Sequence, residues 1–310
     1  MMHAAPPVGY SDPLPRVLAA DDFDTGTCGW LDLRPNFVAP DFREHSTDID
    51  LIHWGPTMLS SATFAFGGTH GSAHGTYSLK VSSRASAGPV TAPPAPGSMG
   101  LAIKRLSEPF GVRRLRVEAL LAYKVEQDRP GLGVDDLRAF GMFIDLQDEE
   151  HRWMPGVRYV NALDGTPVRR WQYFTETEAT DVEWSYGVDG WHKAGIDPQW
   201  FGERAADGST AATAWFEPGS QRMIYNESDD KLNWMPIALT IDVAARRYES
   251  FRVGRREHRF PPGARPTLAP AYADIEGLLN PVLFVEADTD RRVSLYVDSV
   301  VVSVETEPVA

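Results

Sequence analysis

The chain has 310 residues and a formal net charge of −13 at pH 7, from 43 acidic and 30 basic side chains. Nucleic-acid-binding proteins normally carry the opposite sign, so we exclude that class and expect no nucleic-acid partner. The apolar content of 43% is sufficient for a sizeable core. There is no apolar run of about 18 residues, so we expect no membrane span.

Two features bear on the cellular compartment. Cys28 is the single cysteine, so an intramolecular disulfide is excluded. The first residues lack the basic and then apolar pattern of a secretory leader. We therefore expect a cytoplasmic protein, with secretion as the alternative.

The N-terminal residues 1–16 contain four prolines and no apolar periodicity. This composition predicts a tail, or a strap laid over the body of the protein. Residues 17–310 are expected to form a single β-sandwich domain, because large sandwiches reach this length.

After this segment the chain is a succession of short β-branched or alternating runs, separated by Gly, Pro and Asp. The predicted strands are 17–23, 58–66, 76–82, 100–106, 112–126, 139–147, 157–162, 168–174, 182–186, 221–225, 235–243 and 248–253. The predicted helical elements are a turn near 198–204 and a short helix over 272–279. This pattern predicts an all-β, antiparallel sandwich of jelly-roll type with long loops and very little helix.

The longest alternating run is 112–126, and it has two different faces. One face is apolar, with Leu115, Val117, Ala119, Leu121, Tyr123 and Val125. The other carries charged residues, including Arg116, Glu118 and Lys124. We expect this second face to be open to water or to a ligand.

The C-terminal segment 281–305 contains two β-branched runs around a polar turn, which predicts a hairpin. The second run is too apolar for a strand with one face in water, so we place it in the middle of a sheet. We also expect this last strand to pair with the first.

Three short segments resemble the concanavalin A-like lectin and glucanase jelly rolls. They are Ala20–Gly26 with the following Gly29 and Trp30, the Tyr-Ser-Leu-Lys-Val strand at 77–81, and Leu-Tyr-Val-Asp-Ser-Val-Val-Val-Ser at 295–303. The resemblance extends from Asp21 to Glu305. It implies two curved sheets, with sugar bound on the concave face or on the loops at its rim.

The chain departs from these glucanases in one respect. Glucanases of this superfamily often place their acids on one strand as Glu-x-Asp-x-x-Glu, and the nearest string here runs from Glu286 to Asp290 without the final Glu. The usual retaining machinery is therefore not matched. Since this fold class hosts lectins, hydrolases, lyases and inert modules, activity does not follow from the fold.

Aromatic residues give the strongest functional signal, because seven of the nine tryptophans lie between Trp153 and Trp234. Sugar rings stack their C–H faces on indoles, and their hydroxyls need polar partners. The predicted ligand-binding residues are Arg158, Tyr159, Trp171, Tyr173, Trp184, His192 and Trp234. The alternative is that the tryptophans fill a wide sandwich core and brace long loops.

Glycoside hydrolysis needs two carboxyl groups about 5 to 9 Å apart. Glu118 and Asp145 project from the more polar faces of their strands, and they form the predicted catalytic pair. Weaker candidates are Glu126, Asp242 and Glu286. The alternative is that all of these carboxylates are solvated.

Two places are candidates for a metal. Asp21, Asp22, Asp24 and Asp298 come together if the first and last strands pair. The resemblance to jelly-roll carbohydrate modules, which often hold a structural Ca²⁺ there, implies a calcium site, and hard oxygen ligands suit this ion. The alternative is that these carboxylates cap their own turns. His70 and His74 form the second candidate, a weak transition-metal pair without a third ligand.

The leading functional hypothesis is a carbohydrate-active hydrolase or lyase that acts on a small glycoside or oligosaccharide. A non-catalytic lectin-like protein is the second hypothesis, and a structural or oligomeric sandwich is the third. The expected partner is a carbohydrate, with a homo-oligomer left open.

Overall fold

The structure is a computed structural model that describes residues 11–32, 57–60, 71–83, 99–107, 111–125, 134–148, 151–175, 213–217, 220–223, 233–269 and 275–307. In these ranges the chain forms β-strands β1 to β18 and a 3₁₀ turn, Val134–Asp136. No helix in this part of the chain is long and apolar enough to cross a membrane.

Eight strands form the first sheet, which we name sheet I. Their spatial order is β15 (Arg256–His258), β14 (Arg247–Val253), β13 (Met235–Asp242), β7 (Val112–Val125), β18 (Val293–Thr306), β4 (Leu79–Ser82) and β3 (Thr57–Leu59). Beyond the end of β4, β1 (Arg16–Asp21) pairs with the same edge of β18. The predicted pairing of the first and last strands is therefore confirmed.

Ten strands form sheet II. The main order is β12 (Thr213–Trp215), β11 (Thr166–Phe174), β10 (Gly156–Leu163), β8 (Leu137–Gln147), β17 (Leu278–Ala287), β5 (Met99–Lys104) and β2 (Trp30–Asp32). In addition, β9 (Arg152–Met154) pairs with β8 and with β16 (Thr267–Ala269), and β6 (Leu106–Ser107) pairs with β17. All pairings in both sheets are antiparallel.

The core lies between the two sheets. The apolar face of β7 that the sequence predicts, Leu115 to Val125 in alternation, belongs to this core. From the other side, β8 contributes Phe140, Met142, Ile144 and Leu146. The all-β antiparallel sandwich is thus confirmed, and it is the architecture that the resemblance to the jelly rolls implied.

The predicted C-terminal hairpin is wrong. Strand β17 lies in sheet II between β8 and β5, whereas β18 lies in sheet I between β7 and β4. Both edges of each strand are therefore occupied, and the two strands cannot pair with each other. Their connection crosses between the sheets.

A buried ionic network holds this connection. The Asp288 N–H donates to the Asp136 carbonyl at 2.7 Å, and the Asp288 carboxylate accepts from Arg138 Nε at 2.7 Å and from the Gly165 N–H at 2.7 Å. Arg291 donates to the Asp136 carboxylate at 2.8 Å. These bonds fix the polar segment that sequence analysis interpreted as a hairpin turn.

Other predicted elements have different outcomes. The short helix over 272–279 is wrong at its C-terminal end, because Leu278 and Leu279 begin β17 and pair with β8. Gln221 to Met223 form no strand, although they belong to the predicted strand 221–225. The predicted strand 182–186 and the helical turn near 198–204 lie outside the described residues.

Part of the N-terminal segment lies across the outer face of sheet I. Ser11 Oγ donates to Glu118 Oε2 at 2.8 Å, and the Asp12 N–H donates to Glu118 Oε1 at 3.0 Å. The Leu14 N–H donates to Ser303 Oγ at 3.0 Å. These bonds attach the segment before β1 to the two central strands, β7 and β18.

Candidate functional site

A cleft of about 520 Å³ opens at the end of sheet I where β7 and β14 begin and β13 and β18 end. Residues of these four strands and of the turn after β15 line it. They are Arg113, Arg114, Asp242, Arg247, Tyr248, Glu249, Phe260, Pro261, Pro262, Gly263 and Glu305.

One wall of the cleft is a proline-rich turn. The Ala264 N–H donates to the Pro261 carbonyl at 3.1 Å, and Gly263 has φ +77°. A type II turn requires a positive φ at its third position and commonly has proline at its second, and Gly263 and Pro262 occupy these positions. The turn places Pro261 and Pro262 in solvent-exposed positions at the cleft.

Behind these prolines lies a pair of stacked rings. The Tyr248 and Phe260 ring centroids are 4.3 Å apart with an interplanar angle of 8°. The Tyr248 hydroxyl accepts from the Gly156 N–H at 2.9 Å and donates to the Phe174 carbonyl at 2.6 Å. Burial raises the pKa of Tyr248 well above its ordinary value, so the phenol stays neutral and fixed.

The polar wall is centred on Arg114. Its Nε and Nη2 donate to the Glu249 carboxylate at 2.7 and 2.5 Å, and its Nη1 donates to Glu305 at 2.9 Å. Hydrogen bonds to Glu249 and then Glu305 raise the pKa of Arg114. The Arg114 guanidinium is thus held in a two-bond fork by Glu249 and in a third bond by Glu305.

The β13–β14 hairpin supplies a second ion pair. Asp242 pairs with Arg247 across the strands, and Arg247 Nη2 lies 3.0 Å from Asp242 Oδ2. The other Asp242 oxygen accepts from the Ala245 N–H at 2.9 Å, an Asx-type contact that turns the chain. Arg246 completes the turn with φ +48°.

The cleft therefore combines fixed planar polar groups, which make up most of its open surface, with a smaller apolar wall. Its volume lies within the range of about 300 to 1,000 Å³ that is typical of small-molecule sites. Proline and Phe260 can take the C–H face of a ring, while the Arg114 and Glu249 groups can bond to hydroxyls on its edge.

The predicted aromatic cleft is not assembled by the residues that the sequence suggested. Tyr159, Trp171 and Tyr173 lie in the core between the sheets, where the Trp171 ring centroid is 4.8 Å from that of Phe251. The prediction that these three rings line a ligand-binding cleft is therefore wrong, because they fill the core of the sandwich. Desolvation by this burial raises the pKa of Tyr159 to about 12. Of the remaining predicted aromatics, Trp234 is half-buried, and Trp184 and His192 lie outside the described residues.

Arg158 lies on the outer face of sheet II, turned away from sheet I, and it is 2% exposed. Its Nε donates to Gln172 Oε1 at 2.7 Å across the β10–β11 pair. On its other side Arg158 pairs with Gly141, where an added Cβ would lie 2.2 Å from the Val157 carbonyl oxygen. Arg158 is therefore packed within a close-fitting sheet rather than open to a ligand.

The predicted catalytic pair, Glu118 and Asp145, is not brought together. Glu118 projects from the outer face of sheet I, and Asp145 from the outer face of sheet II. Two packed sheets are about 10 Å apart, so carboxylates on their opposite outer faces are too far apart for the paired mechanism. Asp145 is bonded instead to Arg152 at 2.8 and 2.9 Å.

The predicted calcium ligands are each used in other ways. Asp21 accepts from Trp30 Nε1 at 2.9 Å and lies 3.0 Å from Lys104 Nζ. Asp22 accepts from the Asp24 N–H at 3.2 Å, as the turn-capping alternative describes. Asp24 in turn accepts from the backbone N–H groups of residues 76 and 77 at 2.5 and 3.1 Å.

The fourth predicted ligand, Asp298, holds the other side of the same segment. It accepts from the N–H groups of Ala73 and His74 at 2.6 and 2.9 Å, and it lies 3.0 Å from His74 Nδ1. Within the described ranges, no three His, Cys, Asp or Glu side chains come together as metal ligands. Each of the four aspartates thus accepts hydrogen bonds from N–H groups, and the calcium site stays a prediction. His70 lies outside the described residues.

Sequence reasoning did not identify this cleft, although it named Asp242 as a weaker carboxylate candidate. The Pro-Pro-Gly string at 261–263 was a local signal for a turn. Arg114 and Glu305, however, are 191 positions apart in the chain, and only the register of β7 with β18 brings them together.

A family model described as Domain of unknown function (DUF6772) matches residues 1–306. No curated protein matches the sequence. Solved structures with similarity include the T. cruzi calreticulin globular domain (TM-score 0.40, 10% identity, covering 93% of this chain and 88% of that chain). Others are the cellulose induced protein Cip1 (0.38, 10%, 94% and 99%) and lectin I-B4 from Griffonia simplicifolia (0.35, 9%, 87% and 97%).

Proposed function

The chain belongs to the family Domain of unknown function (DUF6772), and we propose that this member binds carbohydrate in the cleft at the end of sheet I. The observation that carries the proposal is that two kinds of wall line the same cleft, whose open surface is mostly polar. One wall is formed by Phe260, Pro261 and Pro262, and the other by the Arg114 ion pairs.

Saccharides need both kinds of surface. Their C–H faces are apolar and lose water readily against an aromatic or proline surface. Their hydroxyls lie at the ring edge, where carboxylates and guanidinium groups give directional, charge-assisted hydrogen bonds. Because Arg114, Glu249 and Glu305 already hold one another, little side-chain entropy is lost when a ligand binds.

The same ion pairs favour binding over hydrolysis. Glycoside hydrolysis needs one protonated carboxyl and a second carboxylate that is free to act as base or nucleophile. Asp242, Glu249 and Glu305 are each engaged by an arginine. The lectin-like hypothesis therefore fits this cleft better than the hydrolase or lyase hypothesis.

The test is a titration of neutral and acidic oligosaccharides by isothermal calorimetry, with Glu249→Gln and Phe260→Ala as cleft variants. We expect each variant to lose about tenfold or more in affinity, through the lost charge-assisted bonds or the lost stacking surface. Glu257→Gln removes the same charge from an exposed site outside the cleft and should bind like wild type.

The melting temperature of each variant, measured without ligand, separates a binding effect from a folding defect. A panel that contains no ligand for the wild type would sink the proposal, and so would equal affinity in all four proteins. Steady turnover of a chromogenic glycoside by the wild type would show that the non-catalytic assignment is wrong.

A further inference from the structure

Arg113 differs from the other arginines of the cleft. Arg114 is bonded to Glu249 and Glu305, and Arg247 is bonded to Asp242. Arg113 lines the cleft and is exposed, and no carboxylate of the described part of the chain forms an ion pair with it. Its guanidinium is therefore available at the mouth of the cleft.

The backbone of β7 explains how Arg113 reaches this position. Glu305 of β18 pairs with Arg114, but Thr306, the next residue, pairs with Val112. Arg113 is thus an extra residue in β7, a β-bulge that re-aims a side chain away from the regular alternation. The Arg113 carbonyl accepts from the Val243 N–H at 2.9 Å, which anchors the bulge to the β13–β14 hairpin.

The charged side chains that line the cleft balance, with Arg113, Arg114 and Arg247 against Asp242, Glu249 and Glu305. Arg113 is the one of these arginines without an ion pair to a described carboxylate, so a negatively charged ligand group is favoured locally at its guanidinium. Hydroxyl groups can be bonded by the polar wall that Arg114 organises, and they do not need a second, unpaired arginine. A carboxylate is well matched by an unpaired arginine, because its two oxygens accept from two parallel N–H groups of the guanidinium.

We propose that the carbohydrate bound in this cleft is an acidic saccharide whose carboxylate is received by Arg113. This inference rests on the proposed carbohydrate-binding function and names the ligand class of the same site. The apolar wall would take the ring face, while the acidic group points to the mouth of the cleft.

The experiment compares uronate oligosaccharides with their methyl esters, which keep the ring and its hydroxyls but lose the charge. Galacturonate, glucuronate and mannuronate oligomers and their esters are titrated into the full-length protein by calorimetry. We expect at least one free acid to bind about tenfold or more tightly than its ester. In Arg113→Gln this preference should vanish while the ester still binds.

The matched control is Arg255→Gln, which removes one positive charge from an exposed position in the β14–β15 turn. It should keep the preference for the acid, which separates a contact at Arg113 from a change of overall charge. Equal binding of acid and ester by the wild type, or a preference that survives in Arg113→Gln, overturns the inference and leaves the proposed function standing. If the wild type binds no neutral sugar, acid or ester, both fall.

Discussion

At the scale of single residues, His258 shows how burial sets a proton affinity. It is 3% exposed, packs against Trp171 and Phe216 in the core, and its Nε2 lies 3.0 Å from Gln221 Oε1. Desolvation, helped by the charge of Arg256, lowers the pKa of His258 to about 4. The imidazole is therefore neutral in the folded protein near neutral pH.

This depressed pKa predicts a loss of stability in acid. An unfolded-state histidine titrates near about 6.5, so between about pH 6.5 and 4 the unfolded chain binds the proton and the folded chain does not. The His258 contribution is present above this window and declines as the pH falls through it, by on the order of 3 kcal/mol. Urea unfolding at several pH values should show this decline in wild type.

The decline should be smaller in His258→Gln. The reason is that a glutamine side chain takes up no proton in this pH range. Parallel pH dependence in wild type and His258→Gln would show that the imidazole is not the source of the effect.

At the scale of elements, β18 carries a β-bulge at Asp298, in addition to the bulge at Arg113 in β7. Val297 pairs with Leu121 and Ser299 with Leu120, so Asp298 is the extra residue between them. On the other edge of β18 it lies between the last residue of β1 and the first residue of β4, and it is 2% exposed. From this position its carboxylate binds the backbone at residues 73 and 74.

Asp298→Asn should release this segment without disturbing the sheets. The amide keeps the size of the side chain but loses the charge-assisted acceptance of two N–H groups, at a cost of about 1 to 3 kcal/mol locally. Hydrogen exchange of the Ala73 and His74 amides should rise at least about tenfold. Glu276→Gln, at an exposed carboxylate, is the control. Unchanged exchange in Asp298→Asn would show that the carboxylate does not hold the segment.

The same elements explain what the sequence could predict. Alternation in β7 correctly identifies Leu115 and Val117 as core residues, because the period of two is a local property. Alternation also puts Trp171 and Tyr173 on one face, but it does not say whether that face meets a ligand or the other sheet. The C-terminal hairpin failed for a related reason, since the occupied edges of β17 and β18 belong to distant strands. Local pattern therefore predicts strands well, and sites built from several strands poorly.

At the scale of the whole molecule, β18 is the strand that joins the two halves of sheet I. It pairs with β7 along almost its whole length, and its other edge takes both β4 and β1. These partners are separated from it by most of the chain. Folds dominated by such non-local pairs fold slowly, and chains of this size commonly pass through intermediates.

Pulsed hydrogen exchange during refolding tests this order of events. The β10–β11 hairpin is joined by a tight turn at Asp164 and Gly165 and needs only local contacts, so its amides should be protected first. Amides of β1 and of its partner β18 should gain protection later and together. Protection of β1 ahead of β10 and β11 would contradict the expected order.

The pairing of β1 with β18 also has a consequence for the chain as it is synthesised. Arg16 of β1 pairs with Val304, so the first strand leaves the ribosome nearly 290 residues before its partner. At the usual rates of translation that interval is on the order of 15 to 60 s. Strand β7 is without β18 for a shorter part of this interval, because Leu115 pairs with Val304 and about 190 residues separate the two. Until then one edge of β7 is uncovered, and it is a template for association with other chains. The nascent protein is therefore expected to depend on chaperone protection until its last strand emerges.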